Sequence, residues 1–347
     1  MIDVVGFVIS WLTIFGIYSI LSLSLNLESG TAGVTNFGKV VFYGAGAYIA
    51  ATLTTYLTLI LNGVDVTETP PYDVRGIVLL GELGSRNPLM SLGLLVLSLV
   101  VAFVIAGALG YLLSYPIIRV GPAFVGFTLL SFGELMRVFL QHYEPVGGNK
   151  GLMAIPTPFG WVAESRVREV AYLGLVMGVL ATTYVVIHRL VNSPLGRTLR
   201  AVRDDEVAAL CLGKHVPKIK AKVLFVGSGF AGVAGVLLAY YLTSVNPNMF
   251  VPAVTFNVWA MIILGGCGNL KGSLVGAAVV TFVDRVLTFV TPYLGVTVIS
   301  PDYLRWVIVG LLIVVVLIVN PRGLLPEEPI KTPALEVVSE ELGGGSG

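Results

Sequence analysis

Long apolar runs with few charged residues follow one another along this chain and constrain its fold more than any other feature. A helix that crosses a bilayer needs about 20 mostly apolar residues. The Gly-rich segments 28–39 and 262–273 are less apolar, and we expect them to form broken or re-entrant pieces. The sequence therefore predicts an all-α, polytopic membrane helix bundle of about eight to ten spans. The candidate spans lie at about residues 4–27, 40–62, 89–114, 122–142, 170–189, 217–242, 253–270, 272–291 and 303–319.

Composition excludes several classes of protein. Charged residues make up 12% of the chain, whereas a soluble domain carries about 25%. The formal net charge is +1, so the charge balance indicates no nucleic-acid partner. The two cysteines and three histidines lack the spacing of metal ligands, so we expect no metal site. The chain also lacks a Gly-x-x-x-x-Gly-Lys-Ser/Thr motif and a catalytic cluster, so we expect it to hold no cofactor and not to be an enzyme.

Basic residues set the predicted orientation. The stretch 189–222 holds a large share of the lysine and arginine residues, which places it in the cytoplasm. The loop 63–88 is more acidic and suits the external side. Counting spans from the basic stretch places the C-terminus in the cytoplasm and the N-terminus outside. We expect a transmembrane domain over residues 1–325 and a disordered cytoplasmic tail over 326–347, whose final Gly-Gly-Gly-Ser-Gly is typical of an engineered linker.

The cytoplasmic segment 193–216 contains a predicted amphipathic helix, or two short ones. Ser193 is a good N-cap, Pro194 suits the first helical position, and Gly213 suits the left-handed end. An apolar stripe of leucine and valine precedes a charged centre. The segment is either a membrane-surface helix or a docking element for a cytoplasmic partner.

Four separated motifs resemble those of one family. Ser193 to Gly213 resembles the coupling segment of ABC importer permeases. Ser24-Leu-Asn-Leu through Gly44-Ala-Gly-Ala-Tyr48, Thr128 to Arg137 (Thr-Leu-Leu-Ser-Phe-Gly-Glu-Leu-Met-Arg) and the Gly-rich turn from Leu264 to Gly272 resemble three more of its segments. In this order they are similar to the LivM-type permease of branched-chain amino-acid importers. Lys39 lies where that family often has a histidine.

The resemblance implies a permease subunit in the cell (inner) membrane that imports branched-chain or related amino acids. It implies pairing with a second, different permease chain, an external substrate-binding protein and two ATP-binding cassette subunits that hydrolyse ATP-Mg. Urea or short amides remain open as substrates within the same family. The candidate residues for coupling to the ATPases are Arg203, Asp204, Asp205, Glu206, Ala208, Ala209 and Gly213.

Polar and small residues within the spans are candidates for the substrate pathway. Glu134 and Arg137 share one helical face, where they form either an internal ion pair or part of a gate. Asparagines in or beside Gly-rich breaks suit the charged ends of an amino acid, although Gly44 and its neighbours equally suit close packing. The remaining candidates are Asn26, Asn36, Tyr48, Asn257 and Asn269.

The external Gly147-Gly148-Asn149 stretch has three interpretations. It contacts a binding protein, forms part of an outer gate, or is a plain turn.

A self-contained, ion-coupled secondary transporter is the alternative function. Such a protein needs acidic or histidine relays within its spans. Glu134 and Asp284 are the clear candidates for such a relay. Transport without an ATPase partner would distinguish it from an importer subunit.

Overall fold

A computed structural model describes residues 3–84, 87–119, 122–294 and 301–327 of the chain. The described residues form helices joined by short turns, and named strands do not occur among them. The helices are α1 (Val4–Leu25), α2 (Lys39–Leu61), α3 (Val74–Leu83), α4 (Pro88–Arg119), α5 (Pro122–His142), α6 (Ser165–Val191), α7 (Pro194–Asp204), α8 (Glu206–Cys211), α9 (Val216–Leu242), α10 (Pro252–Gly265), α11 (Leu270–Leu294) and α12 (Pro301–Val319).

Eight of these helices are long and apolar enough to cross a membrane, which confirms the predicted polytopic helical bundle. The apolar part of α12, Leu304–Val319, is shorter than the others. Two details differ from the sequence prediction. The loop 63–88, which the sequence predicts to be external, contains the helix α3, which its mixed composition did not indicate. The two predicted spans near 270 meet at a turn over residues 266–269, because Gly266 and Gly268 adopt positive φ angles of 117° and 90°.

The centre of the bundle is α9, and small residues allow α2 to cross it closely. Most of the apolar window of α9 is buried. A Cβ atom at Gly46 would overlap the Gly232 carbonyl, and one at Gly235 would overlap the Tyr43 carbonyl. Such contacts between backbones are how small residues stabilise helix pairs in membranes.

Contacts at the helix ends show which segments lie together at each end of the bundle. Asp3, before α1, pairs with Arg166 at the start of α6 at 2.6 Å. At the opposite end, the segment after α1 contacts α7 in the basic stretch. The N-terminus and the basic stretch therefore lie at opposite ends of the bundle.

The helix break between α1 and α2 is a buried loop. The chain continues from α1 as a π-helical turn over Asn26–Thr31 and then runs without helix through residues 32–38. Hydrogen bonds from Val34 N to the Glu28 carbonyl (2.9 Å) and from Ser29 Oγ to the Val34 carbonyl (2.7 Å) close this loop. Because the loop folds back, α2 begins within the bundle, where Lys39 lies beside Gly227 in α9.

The chain after α12 folds back onto the turn between α10 and α11. Leu324 N donates to the Leu264 carbonyl at 2.9 Å, and Leu325 N donates to the Gly265 carbonyl at 2.8 Å. Pro326 and Glu327, which the sequence analysis assigned to the tail, also contact the rest of the chain. The rest of the predicted tail, residues 328–347, lies outside the described residues.

Candidate functional site

The predicted cytoplasmic segment folds as two short helices with a sharp break. Ser193 caps α7 by accepting a hydrogen bond from Gly196 N at 3.4 Å, as its N-cap position predicted. Asp205 has extended backbone geometry and caps α8 by accepting hydrogen bonds from Val207 N and Ala208 N, both at 2.9 Å. The left-handed Gly213, with φ of 75°, follows α8. These local caps explain why the ends of the segment could be predicted.

The two faces of α8 differ in character. Ala209 is buried against Val202 and Val216, so it anchors the helix and does not face a partner. Val207 and Leu212 are 68% and 78% exposed. The side of α8 opposite Ala209 therefore presents apolar side chains to solvent. The sequence prediction included Ala208, which is exposed, but missed these two larger residues.

Arg203 joins this segment to the helix break inside the bundle. Its guanidinium donates to the Gly30 carbonyl at 2.5 Å and contacts Glu327 at 3.0 Å and Asp204 at 3.2 Å. Burial alone would lower the pKa of Arg203, but the hydrogen bonds and charges of Glu327 and Asp204 raise it above its ordinary value. The side chain therefore stays charged and holds three segments together.

Glu206 has a local partner on the neighbouring helix. Its carboxylate contacts Lys220 in α9 at 2.5 Å. This ion pair fixes α8 against the start of α9 and leaves Glu206 partly exposed.

A buried ion pair lies two residues from the Gly30 carbonyl that Arg203 binds. Glu28 Oε1 lies 2.9 Å from Lys39 Nζ, and both side chains are almost fully buried. Asn36 Nδ2 donates to Glu28 Oε2 at 2.8 Å, and Lys39 Nζ donates to the Gly227 carbonyl at 3.1 Å. A Cβ at Gly227 would overlap the Glu28 carboxylate, so only glycine leaves room for it.

The sequence analysis missed the role of Glu28, although a signal was present. Glu28 and Lys39 are the only charged residues between Asp3 and Asp65, and their charges are opposite. Because charges inside a bundle are costly unless paired, two such residues flanking a helix break indicate a pair.

Asn26 and Asn269 meet, but they form a clamp rather than an open path. Asn26 Nδ2 donates to the Asn269 carbonyl at 2.9 Å, and Asn26 Oδ1 accepts from Gly268 N at 2.8 Å. Asn269 Nδ2 in turn donates to the Pro326 carbonyl at 2.9 Å. The clamp holds the helix break, the turn before α11 and the chain after α12 in one unit.

The other predicted pathway residues lie apart from this clamp. Gly44 packs against the ring of Phe250, where a Cβ would lie 3.1 Å from the nearest ring atom. Tyr48 contacts the same ring, with centroids 6.1 Å apart. Asn257 is buried in α10, and its Oδ1 has no hydrogen-bond partner among the described residues.

The predicted ion pair between Glu134 and Arg137 in α5 forms, and it lies on the outer surface of this chain. Arg137 Nη2 lies 2.8 Å from Glu134 Oε2, and the side chains are 24% and 36% exposed. Gln141, one turn further, donates to Asn248 Oδ1 at 3.0 Å. A charged pair that faced lipid would be costly, so this flank of α5 requires a polar or protein-covered environment.

The external glycines form a tight turn. Gly147 and Gly148 have φ angles of 83° and 52°. Asn248 Nδ2 donates to Asn149 Oδ1 at 3.3 Å, which joins the turn to the polar side chains at the end of α5. The plain-turn interpretation accounts for the glycines, whereas Asn149 continues the polar flank outward.

Comparison with known proteins identifies the family. The sequence profile described as "Branched-chain amino acid transport system / permease component" matches residues 7–317. The chain belongs to this permease family. No solved structure matches it significantly.

Several curated relatives resemble the permease over most of its length. A probable branched-chain amino acid transport permease protein LivM from Methanocaldococcus jannaschii is 30% identical, with 99% of each chain covered. LivM of Escherichia coli is also 30% identical, over 90% of this chain and 69% of that protein. LivH of the same organism is 24% identical, over 90% of this chain and 92% of its own. The resemblance seen in the four sequence motifs is thereby confirmed.

The buried Glu28–Lys39 pair should show strong energetic coupling. Glu28→Gln and Lys39→Met each leave one buried charge without its partner, which we expect to cost about 3–5 kcal/mol of stability. The double variant removes both charges and should regain most of that loss. Thermal unfolding of the four proteins in one detergent measures the cycle. If the stability loss of the double variant equals the sum of the two single losses, the two side chains do not interact directly.

Arg203→Gln should loosen the helix break of the permease. Glutamine is too short to reach both the Gly30 carbonyl and Glu327, so a charge-assisted hydrogen bond is lost. We expect amide hydrogens within residues 28–36 to exchange about tenfold faster, as measured by mass spectrometry in lipid nanodiscs. Arg197→Gln, an exposed change on the same helix, is the control. Equal exchange in the two variants would disprove the link.

Proposed function

We propose that this permease is one of two membrane chains of an ATP-driven importer of branched-chain or related amino acids in the cell membrane. The branched-chain amino acid transport named for its relatives supports the substrate class. The relatives in Escherichia coli include both LivM and LivH, which supports pairing with a second, different permease. ATP-binding subunits and an external binding protein complete the proposed importer, and the ATP-Mg cofactor belongs to those subunits.

The coupling proposal rests on one observation. The helix α7, which directly precedes α8 and its exposed apolar side chains, is hydrogen-bonded to the helix break through Arg203. Val207 and Leu212 offer the docking surface. The neighbouring helix α7 reaches the Gly30 carbonyl through Arg203. Displacement of α7 and α8 by the ATPases would therefore move the segment that holds Glu28. Two other coupling candidates shape this segment: Asp205 caps α8, and Gly213 provides the left-handed turn after it.

Val207→Asn should weaken docking without unfolding the chain, because the side chain is 68% exposed. We expect about fivefold lower uptake and less ATPase subunit in the purified complex, as for loss of a moderate interface contact. Val74→Asn is a matched control, since Val74 is a 72% exposed valine at the start of the external helix α3. Similar behaviour of the two variants would refute α8 as the docking surface.

The same purification tests the function as a whole. If the chain is an importer subunit, two ATPase chains and a second permease should co-purify with it from its native membrane. A chain that catalyses uptake alone in liposomes would instead be a secondary transporter, and the proposal would fail.

We also propose that the polar flank of α5 lines the substrate pathway at the boundary with the second permease. The flank runs from Asn149 and Asn248 past Gln141 to the Glu134–Arg137 pair. Paired charges and amides suit the passage of a zwitterion better than contact with lipid.

Chemical labelling tests this pathway. Leu130 lies one turn from Glu134 on the same flank. In a chain with Cys211 and Cys267 replaced by serine, a membrane-impermeant thiol reagent should modify Leu130→Cys, and leucine should slow the reaction. Val100→Cys, on an apolar exposed face of α4, should not react. Equal reactivity at both positions would place α5 outside the pathway.

A further inference from the structure

A cavity opens at the end of the bundle that carries the N-terminus, which the sequence predicts to be external, and away from α5. It has a volume of about 730 Å³ and lies among the external ends of α1, α6, α9 and α11. Asp3 and the segment 157–159 are at its rim, and Arg285 lies in its wall. The space is several times larger than a single amino acid requires, so a small solute can enter with water.

Arg285 is a cation without a carboxylate partner among the described residues. Its Nε donates to Ser10 Oγ at 3.1 Å and its Nη2 donates to Tyr241 OH at 3.0 Å. Both acceptors are neutral. The neighbouring carboxylate of Asp284 is occupied, since it pairs with Arg305 at 2.8 Å.

The two hydroxyl contacts leave part of the guanidinium open to the cavity. A guanidinium has five N–H donors in a planar fork that fits a carboxylate. Nη1 of Arg285 has no hydrogen-bond partner in the described part of the chain. Because a charge within a membrane span is costly without an opposite charge, the site favours an anionic ligand.

The rest of the cavity fits the other parts of an amino acid. Glu169 lines it and accepts a hydrogen bond from Ser165 at 3.3 Å, but pairs with no cation among the described residues. Asp3 is already paired with Arg166. Ile9 and the rings of Phe159 and Tyr172 also line the cavity. A carboxylate, an ammonium group and an aliphatic side chain thus each find a complementary surface.

We propose that this cavity is an external amino-acid site in which Arg285 binds the ligand carboxylate. Glu169 faces the ammonium group, and the apolar wall receives the side chain. Arg168 also lines the cavity and adds positive charge near its mouth. The ligand class rests on the proposed function, but the site itself lies within this one chain and does not require the ATPases.

Direct binding tests the site. The full permease is placed in nanodiscs of phosphatidylcholine, and binding of radiolabelled leucine is measured without ATP. Arg285→Gln should weaken binding about tenfold or more, as for loss of a charged hydrogen bond. Arg75→Gln, an exposed external arginine on α3, should leave it unchanged. Equal affinity in the two variants would overturn the proposal.

Competitors identify the chemistry that is recognised. 4-Methylpentanoate, which keeps the carboxylate, should displace leucine, whereas leucinamide, which lacks it, should not. Displacement by leucinamide, or by inorganic phosphate at the same concentration as 4-methylpentanoate, would show that the cavity does not select a carboxylate and would overturn the proposal.

A measurement on the unaltered chain covers the case in which Arg285→Gln does not fold. Leucine should slow the modification of Arg285 by phenylglyoxal, quantified by mass spectrometry, while the modification of Arg75 proceeds at its usual rate. Equal modification of Arg285 with and without leucine would overturn the site. Because no ATPase or second permease enters these experiments, failure of the importer proposal would be seen separately, in the purification of the complex.

Discussion

The Glu28–Lys39 pair can lie inside the bundle only because the helix is interrupted between the two residues and because Gly227 lies opposite them. The loop over residues 32–38 turns the chain back so that opposite charges meet at 2.9 Å. Gly227 leaves space for the carboxylate, and Asn36 occupies one of its oxygens. Since an unpaired buried charge is far more costly than a paired one, the pair holds the break in one geometry. The positions of α1 and α2 relative to α9 follow from that geometry.

The link from the cytoplasmic surface to this pair consists of few contacts. The helix α8, which carries the proposed docking surface, directly follows α7, and Arg203 extends from α7 to the Gly30 carbonyl. Between Gly30 and Glu28 the backbone is a π-helical turn. Turns of this kind are rare and are frequently found at functional sites. On the proposed coupling role, a movement of α7 and α8 would act on this π-helical turn through Arg203.

Much of the fold could be predicted because the signals are local. Apolar length defines the spans, and Ser193 and Gly213 mark the ends of the cytoplasmic segment through their own backbone geometry. Contacts between distant segments could not be predicted in this way. Asn26 and Asn269 seemed suited to a substrate, yet the Asn26 side chain hydrogen-bonds to the Asn269 carbonyl, 243 positions away in the sequence. Glu327 has a polar context typical of a solvated tail, but the backbone pairing of Leu324 and Leu325 brings it to Arg203.

The return of the chain after α12 has a consequence for biosynthesis. Translation proceeds from the N-terminus, so α7 and its Arg203 leave the ribosome long before Glu327. Until α12 has entered the membrane and Leu325 has reached Gly265, Arg203 lacks one of its carboxylate partners and the Asn269 side chain lacks the Pro326 carbonyl. The contacts of α7 and of the turn before α11 are thus completed only after α12 has been made.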